Sequence, residues 1–495
     1  MSEAYAVPGV YVTESKGLSI NIHSGETAVP VFVGIFNAKT PLAPDAPLAC
    51  VRIESWLEFT AQFGSSDCLT VTLVDKKVHA VPYLGSYSVQ MYFENGGGPC
   101  YILSVNDREK LNTDDIQASI TSAISQCPDI TLLCWCEFIT PDIDKRVYTA
   151  LAGLLGASST SGGNRGTFLL TDAWVDGTAG QLPTQWTFKT PEVTETTQVA
   201  AYFPALMTGY THDYASYVDS SVRITQFSED QVKALASANV KDTAGKVVTA
   251  ASIVSLSSLR ALKSDQKVSA ILKNVTDALS DGQNGVSSLT FQPIWLRASV
   301  AMAGVYARVD RERGVWKAPA NVALSGVSGL QATGIHGRDV WMQPIRVDDA
   351  LNATLVDAKV NALREFRGQG VQVWGARTQV APSNKAWRYV PVRRLFNAVE
   401  RDARAAMQTA VFEPNNAPTW ESIRGALNNY LYALWRQGAL QGDTPEQAYF
   451  VQVGLGTTMT QADIDNGNMV VKVGLAAVRP AEFIILELTQ HVVPA

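Results

Sequence analysis

Apolar and polar positions change rhythm along the chain, and each change marks an element. Over residues 7–14 the β-branched and aromatic side chains, punctuated by Pro8-Gly9, predict an extended segment with too few apolar positions to form a unit alone. After the polar link Ser24-Gly25-Glu26-Thr27, the apolar run 28–36 predicts a buried strand. Residues 51–63 read as a strand passing into a short helix, with Trp56, Phe59 and Phe63 at helical spacing. Residues 86–105 read as two strand-like segments around the turn Asn95-Gly96-Gly97-Gly98-Pro99. From 106 to 206 helix and strand alternate, with helices at 115–126 and 145–156 and strands at 130–135 and 167–170, which is an α/β arrangement with a polar loop at 158–164. Residues 207–290 are rich in Ala, Ser, Val and Thr, have weak periodicity, and suit an outward-facing insertion.

The last third is more legible. A helix over 348–366 stops at Gly368 and Gly370 and is followed by a strand over 371–374. A long helix over 392–411 sets Leu395, Phe396, Val399, Ala403, Ala406, Met407 and Ala410 on one side, with Arg393, Arg394, Arg401 and Arg404 on the other. A second helix spans 419–437, with Thr419 as N-cap and Gly438 as stop. Strands follow over 469–478 and 481–493; in the second, Ile484, Leu486 and Leu488 share one face. An unpaired strand at a chain end invites association. Extended segments at both ends therefore make the chain a candidate for strand exchange between subunits, the alternative being that both close the subunit's own sheet.

Composition narrows the classes. The 495 residues correspond to roughly three domains. At 46% hydrophobic and 17% charged, the chain buries real cores. A net charge of -6 argues against a direct nucleic-acid partner. Without a long apolar run or a signal-like start, neither a membrane span nor a signal peptide is expected, which implies synthesis in the cytosol. Six cysteines, Cys50, Cys68, Cys100, Cys127, Cys134 and Cys136, all fall in the first third and do not form a disulfide scaffold. Cys134-Trp135-Cys136 lacks the spacing of a metal site and reads as buried thiols in a strand. The triple glycine lacks the Lys-Ser/Thr and helix of a phosphate loop. Paired acids, Asp310 with Glu312 or Asp463 with Asp465, would suit a hydrolase only if a cleft held them at a controlled separation. No catalytic motif accompanies them, so no catalytic residue, cofactor or metal is expected, and a structural assembly protein stands as an alternative.

The stretch Ala303-Gly304-Val305-Tyr306-Ala307-Arg308-Val309-Asp310-Arg311-Glu312-Arg313-Gly314-Val315-Trp316-Lys317-Ala318-Pro319-Ala320-Asn321 closely resembles a signature of contractile tail sheath proteins, the sheath subunits of contractile phage tails and phage-tail-like injection particles. Pro8-Gly9-Val10-Tyr11, Phe93-Glu94-Asn95-Gly96-Gly97-Gly98, Val373-Trp374-Gly375-Ala376-Arg377-Thr378, Arg388-Tyr389-Val390-Pro391-Val392-Arg393-Arg394-Leu395, Phe412-Glu413-Pro414-Asn415 and Pro480-Ala481-Glu482-Phe483 agree in order. The likeness does not cover 207–290.

The resemblance implies a mixed α/β, multidomain sheath subunit. Its parts are an N-terminal arm (1–25), a body segment (26–105), an inserted outer region (106–345), a C-terminal polymerisation domain (346–480) and a C-terminal arm (481–495). Arms that add strands to neighbouring subunits would form a mesh around an inner tube, assembled extended and metastable and then contracting to drive the tube through a target envelope. The implied partners are further copies of the chain, the inner tube protein, and baseplate and tail terminator proteins; the implied place is the tail sheath of a virion, serving genome ejection, or of a bacteriocin-like or extracellular injection particle. Val10, Tyr11, Val12, Ile484, Leu486 and Leu488 are the expected arm strands, and Gly17, Gly25, Gly474 and Pro480 the expected hinges. Tube contact is expected from Asp463 and Asp465, which alternatively cap a helix with Thr460, or from Arg393 and Arg394.

Overall fold

The computed structural model describes residues 20–36, 47–63, 67–105, 111, 115–156, 166–176, 181–211, 222–225, 227–238, 247, 249, 253, 255–262, 266–289, 293–336 and 339–482. The expected arm residues Val10, Tyr11, Val12, Ile484, Leu486 and Leu488, and the hinge residue Gly17, lie outside these. The chain divides into two compact units, one of residues 1–25 with 398–478, the other of 26–397 with 479–495.

The larger unit is built on an eight-stranded sheet in the order Gly370–Trp374, Val360–Phe366, Val199–Phe203, Phe168–Asp172, Leu132–Trp135, Pro30–Gly34, Cys100–Ser104, Cys50–Ile53. The inner strands pair in parallel and each edge strand runs antiparallel to its neighbour. Strands Pro30–Gly34, Leu132–Trp135, Phe168–Asp172 and Val199–Phe203 are buried at every position. That is the requirement of a parallel sheet covered on both faces, and it explains their unbroken apolar runs. Helices Gly85–Glu94 and Ala298–Arg313 contribute to the core on one face. Helices Asp115–Ser125 and Pro141–Ala152 cover the other. Cys134 and Cys136 are fully buried thiols at the end of the Leu132–Trp135 strand.

Two expected elements change type. The first half of 86–105 is the helix Gly85–Glu94, not a strand. Small residues let it press on the Ala298–Arg313 helix: a Cβ on Gly304 would lie 2.4 Å from the Tyr92 carbonyl oxygen. The expected helix over 348–366 stops at Asp357; Lys359 turns the chain at φ 61°, and Val360–Phe366 joins the main sheet. Burial of Val360, Asn361, Ala362 and Leu363 between sheet layers outweighs the helical rhythm.

The unplaced region divides between two further sheets. Ala205–Thr211 and Pro293–Leu296 join Val327–His336, Asp339–Pro344, Trp174–Asp176 and Phe188–Lys189 in a six-stranded sheet. Val222–Thr225 pairs with the hairpin Asp67–Thr72 and Lys77–Pro82. Helices Glu229–Ala238, Leu256–Ala261 and Gln266–Ser280 cover this small sheet through Leu235, Leu256, Leu259, Val268, Ile271 and Val275. The insertion therefore recruits a hairpin that the sequence pattern had left with the body.

The smaller unit holds the end of helix Val390–Met407, helix Ala417–Arg436, and the strands Tyr449–Val453 and Val471–Leu475. Asn416, not Thr419, caps the second helix by accepting the Thr419 N–H, with proline in the first turn. Gly438 ends it at φ 79°, as expected.

Candidate functional site at the chain ends

In the smaller unit the antiparallel strands pair Tyr449 with Leu475 through Val453 with Val471. Val451, Val471 and Val473 pack with Ile423 and Leu427 of the Ala417–Arg436 helix and with Ile20 and Ile22 of the incoming chain. On the other face Phe450 stands half exposed opposite Gly474. A Cβ at position 474 would lie 2.1 Å from the Phe450 ring. Gly474 thus sits in a paired strand and makes room for an aromatic ring, instead of lying in a free connector. The pairing continues beyond it: the Gln441 N–H donates to the Ala476 carbonyl at 2.7 Å and the Val478 N–H to that of Ala439 at 3.3 Å. Among the described residues the sheet has two strands, backed on one face by the Ala417–Arg436 helix.

The N-terminal segment is moored beside this sheet. Asp402, 5% exposed, accepts hydrogen bonds from the Gly25 N–H at 3.3 Å, the Tyr430 hydroxyl at 2.8 Å and the Arg401 guanidinium at 3.2 Å. Burial, then the adjacent Asp402 carboxylate, pushes the Tyr430 hydroxyl pKa up, so it stays a donor. Sequence reasoning missed Asp402, since a single acid on a helix of alternating charge carries no mark of burial.

In the larger unit, the last described residues are held by Glu482. The Arg377 guanidinium grips its carboxylate in fork geometry, Nε to Oε1 at 2.8 Å and an amino nitrogen to Oε2 at 2.5 Å, and the Tyr389 hydroxyl adds a bond at 3.2 Å. The hydrogen bonds to Glu482 raise the Arg377 pKa despite partial burial. Pro480 lies two residues before Glu482.

The four proposed tube-contact residues separate. Arg394 is not a surface charge: at 3% exposure it pairs with Asp310 at 2.5 and 2.9 Å, donates to the Thr27 carbonyl and lies over the Tyr306 ring. Its helix face is buried, which corrects the expected basic face. Arg393 bonds Asn397 at 2.8 Å and stacks on Trp387 at 4.4 Å. Asp463 forms a capping box with Thr460 at the head of the short helix Gln461–Asp465, and these hydrogen bonds hold its carboxyl below the usual value. Asp465 is exposed and accepts from Gln461.

A further residue was not singled out from the pattern. Beyond the Val390–Met407 helix and one tight turn, Phe412 is fully exposed at φ 73°, beside Val411, itself 59% exposed. A bulky residue in the left-handed region with its ring in water is costly twice over. The available signal was an apolar pair just ahead of Glu413-Pro414.

The acid pairs considered for hydrolysis do not face a shared cleft. The Asp310 side chain is enclosed against Arg394 while Glu312 is exposed. Buried acids do gather around Arg297, beyond the Leu132–Trp135 and Phe168–Asp172 strands. Its guanidinium contacts Asp144, lies 3.8 Å from Asp172, donates to the Glu137 carbonyl and stacks on Phe138. Asp172 accepts from Ser299 twice, and the Glu137 carboxylate accepts the Ile35, Leu84 and Gly85 N–H groups. Burial pushes the Asp144 and Asp172 carboxyls up against the pull of Arg297. Their bonds are made within the fold, and the cluster ties strands to helices. Among the described residues no group of three or more His, Cys, Asp or Glu is placed to hold a metal ion, and no helix is long and apolar enough to cross a membrane.

Residues 382–491 match the family model of the phage tail sheath C-terminal domain. The chain is similar to the anti-feeding prophage helical sheath in its contracted state, at 34% identity over 99% of this chain and 100% of that one, with a TM-score of 0.64. It is similar at 34% identity, with the same coverage and a TM-score of 0.61, to a chain of the six-fold symmetrised anti-feeding prophage baseplate. The contracted sheath complex of an extracellular contractile injection system, PVC, matches at 32% identity over 99% of each chain, with a TM-score of 0.59. No curated relative matches.

Proposed function

The chain belongs to the contractile tail sheath family, and from that premise we propose that its two ends are the arms that knit sheath subunits together. It is a structural subunit that polymerises helically and contracts. The observation that carries this is identity of 34% along essentially the whole length of a contracted sheath protein, from the inserted region to both ends. The same similarity to anti-feeding prophage and PVC proteins favours an extracellular injection particle over a phage virion as the setting.

The two-stranded sheet Tyr449–Val453 and Val471–Leu475 is the receiving surface in this reading, since an extended segment can complete it through main-chain hydrogen bonds alone. Val10, Tyr11 and Val12 of one neighbour and Ile484, Leu486 and Leu488 of another supply the strands. Gly17, Gly25 and Pro480 lie at or near the roots of the arms, and Asp402 and the Arg377–Glu482 clasp fix where each leaves its unit. The short helix carrying Asp463 and Asp465, together with the exposed Phe412, is proposed to meet the inner tube or an adjoining subunit. Baseplate and terminator proteins bound the polymer at its ends.

The test is negative-stain electron microscopy of the full-length chain beside a variant lacking residues 1–14. Hollow striated tubes from the full chain, lost in the truncated one, are the expected outcome. Monomers that persist even with the tube and baseplate proteins co-expressed would overturn the reading.

A further inference from the structure

Cys50 opens the antiparallel edge strand Cys50–Ile53 of the main sheet. Cys127 ends the turn after helix Asp115–Ser125, its N–H donating to the Ile124 carbonyl at 3.0 Å. Two positions further along each segment, an Arg52 amino nitrogen meets Asp129 Oδ2 at 2.6 Å. Residues two apart on a strand share a face. Cys50 therefore lies on the Arg52 side, and the segment 127–129 runs beside it with the same spacing. Both thiols are free, partly buried and packed against the same apolar cluster. The two thiols are neighbours, each shifting the pKa of the other. Cys100, Cys134 and Cys136, by contrast, are fully buried.

We propose that Cys50 and Cys127 form a disulfide when the folded chain meets an oxidising medium, stapling the edge strand of the main sheet to the turn beyond the 115–125 helix. The oxidant is a small disulfide such as oxidised glutathione. Burial raises the pKa of both thiols, but the neighbouring Cys50 thiol pulls that of Cys127 back down, so the Cys127 thiolate forms first. It attacks one glutathione sulfur, makes a mixed disulfide and expels one glutathione thiolate. Cys50 then gives up its proton, attacks the Cys127 sulfur and expels the second glutathione. Two protein thiols are oxidised and one glutathione disulfide is reduced to two thiols. The bond is absent after synthesis in a reducing compartment and forms on release from it.

The experiment incubates the reduced full-length chain with oxidised glutathione, alkylates the remaining thiols and maps linkages by mass spectrometry after digestion. One new linkage between positions 50 and 127 is expected, reversed by dithiothreitol, forming about tenfold faster per pH unit while both thiols remain mostly protonated. The oxidised chain should unfold several degrees above the reduced one. In Cys50→Ser, glutathione should remain on Cys127. A folded chain whose thiols all stay alkylatable, a linkage of Cys127 to Cys68, or glutathione accumulating unresolved on Cys127 of the unaltered chain would each overturn the proposal. If Cys50→Ser does not fold, the linkage map of the unaltered chain decides by itself.

Discussion

At the scale of single residues, the arginines of the Val390–Met407 helix show what burial does to a charge. Arg393 and Arg394 are neighbours in sequence, yet one stacks on Trp387 in a half-buried position and the other is sealed in with Asp310. Removing one partner from such a buried pair leaves the other uncompensated. Arg394→Ala should therefore cost the subunit about 3–5 kcal/mol. Asp402→Ala leaves the Tyr430 hydroxyl and the Gly25 N–H without their acceptor, a loss of about 2–3 kcal/mol. Urea denaturation of the monomeric subunit measures both. Limited proteolysis gives a second readout: cleavage near residues 25–27 should come sooner in both variants, because Asp402 accepts the Gly25 N–H and Arg394 donates to the Thr27 carbonyl. Neither role was readable from the chain. A helix periodicity ranks faces by side-chain type, while the partners Asp310 and Gly25 come from distant segments that only the fold brings near.

At the scale of elements, legibility followed the number of faces an element buries. The strands Pro30–Gly34 and Leu132–Trp135 and the helices Asp115–Ser125 and Ala417–Arg436 were readable because apolar runs and stops agreed. Helix Gly85–Glu94 was not, because it is buried on several sides and its serines and aromatics blur the period. Strand Val360–Phe366 was read as helix because the chain reverses at Lys359 with a residue that gives no turn signal. The loop after Met407 carries its own prediction. Phe412→Gly relaxes a left-handed backbone, so subunit stability should hold or rise by up to about 1 kcal/mol. Tube formation should weaken in the same variant, seen as a higher concentration threshold in sedimentation. A fall in stability with unchanged tubes would show that the ring serves only its own loop.

At the scale of the whole molecule, the resemblance drawn from scattered stretches reached the correct family, while the architecture between those stretches stayed hidden. The hairpin Asp67–Pro82 lies far in sequence from Val222–Thr225, and no local pattern announces that they share a sheet. The polymer has a testable preference. Contraction releases free energy only if the extended arrangement is the higher of two packings. The chain alone should therefore assemble into the contracted form, and the extended form should require the tube as template. Helical reconstruction of tubes grown with and without tube protein would show two different rises; a single rise under both conditions would contradict this.

The division of the chain has a mechanical consequence. The main chain passes between the two units at 25/26, 397/398 and 478/479, and the middle passage lies within the helix Val390–Met407. A load entering at either terminus is thus shared by three covalent tethers instead of one linker. The root of one terminus belongs to the smaller unit and that of the other to the larger. Under the arm reading proposed above, tension along a row of subunits has to traverse those tethers in every copy, and a nick in any one of them leaves two to carry the pull.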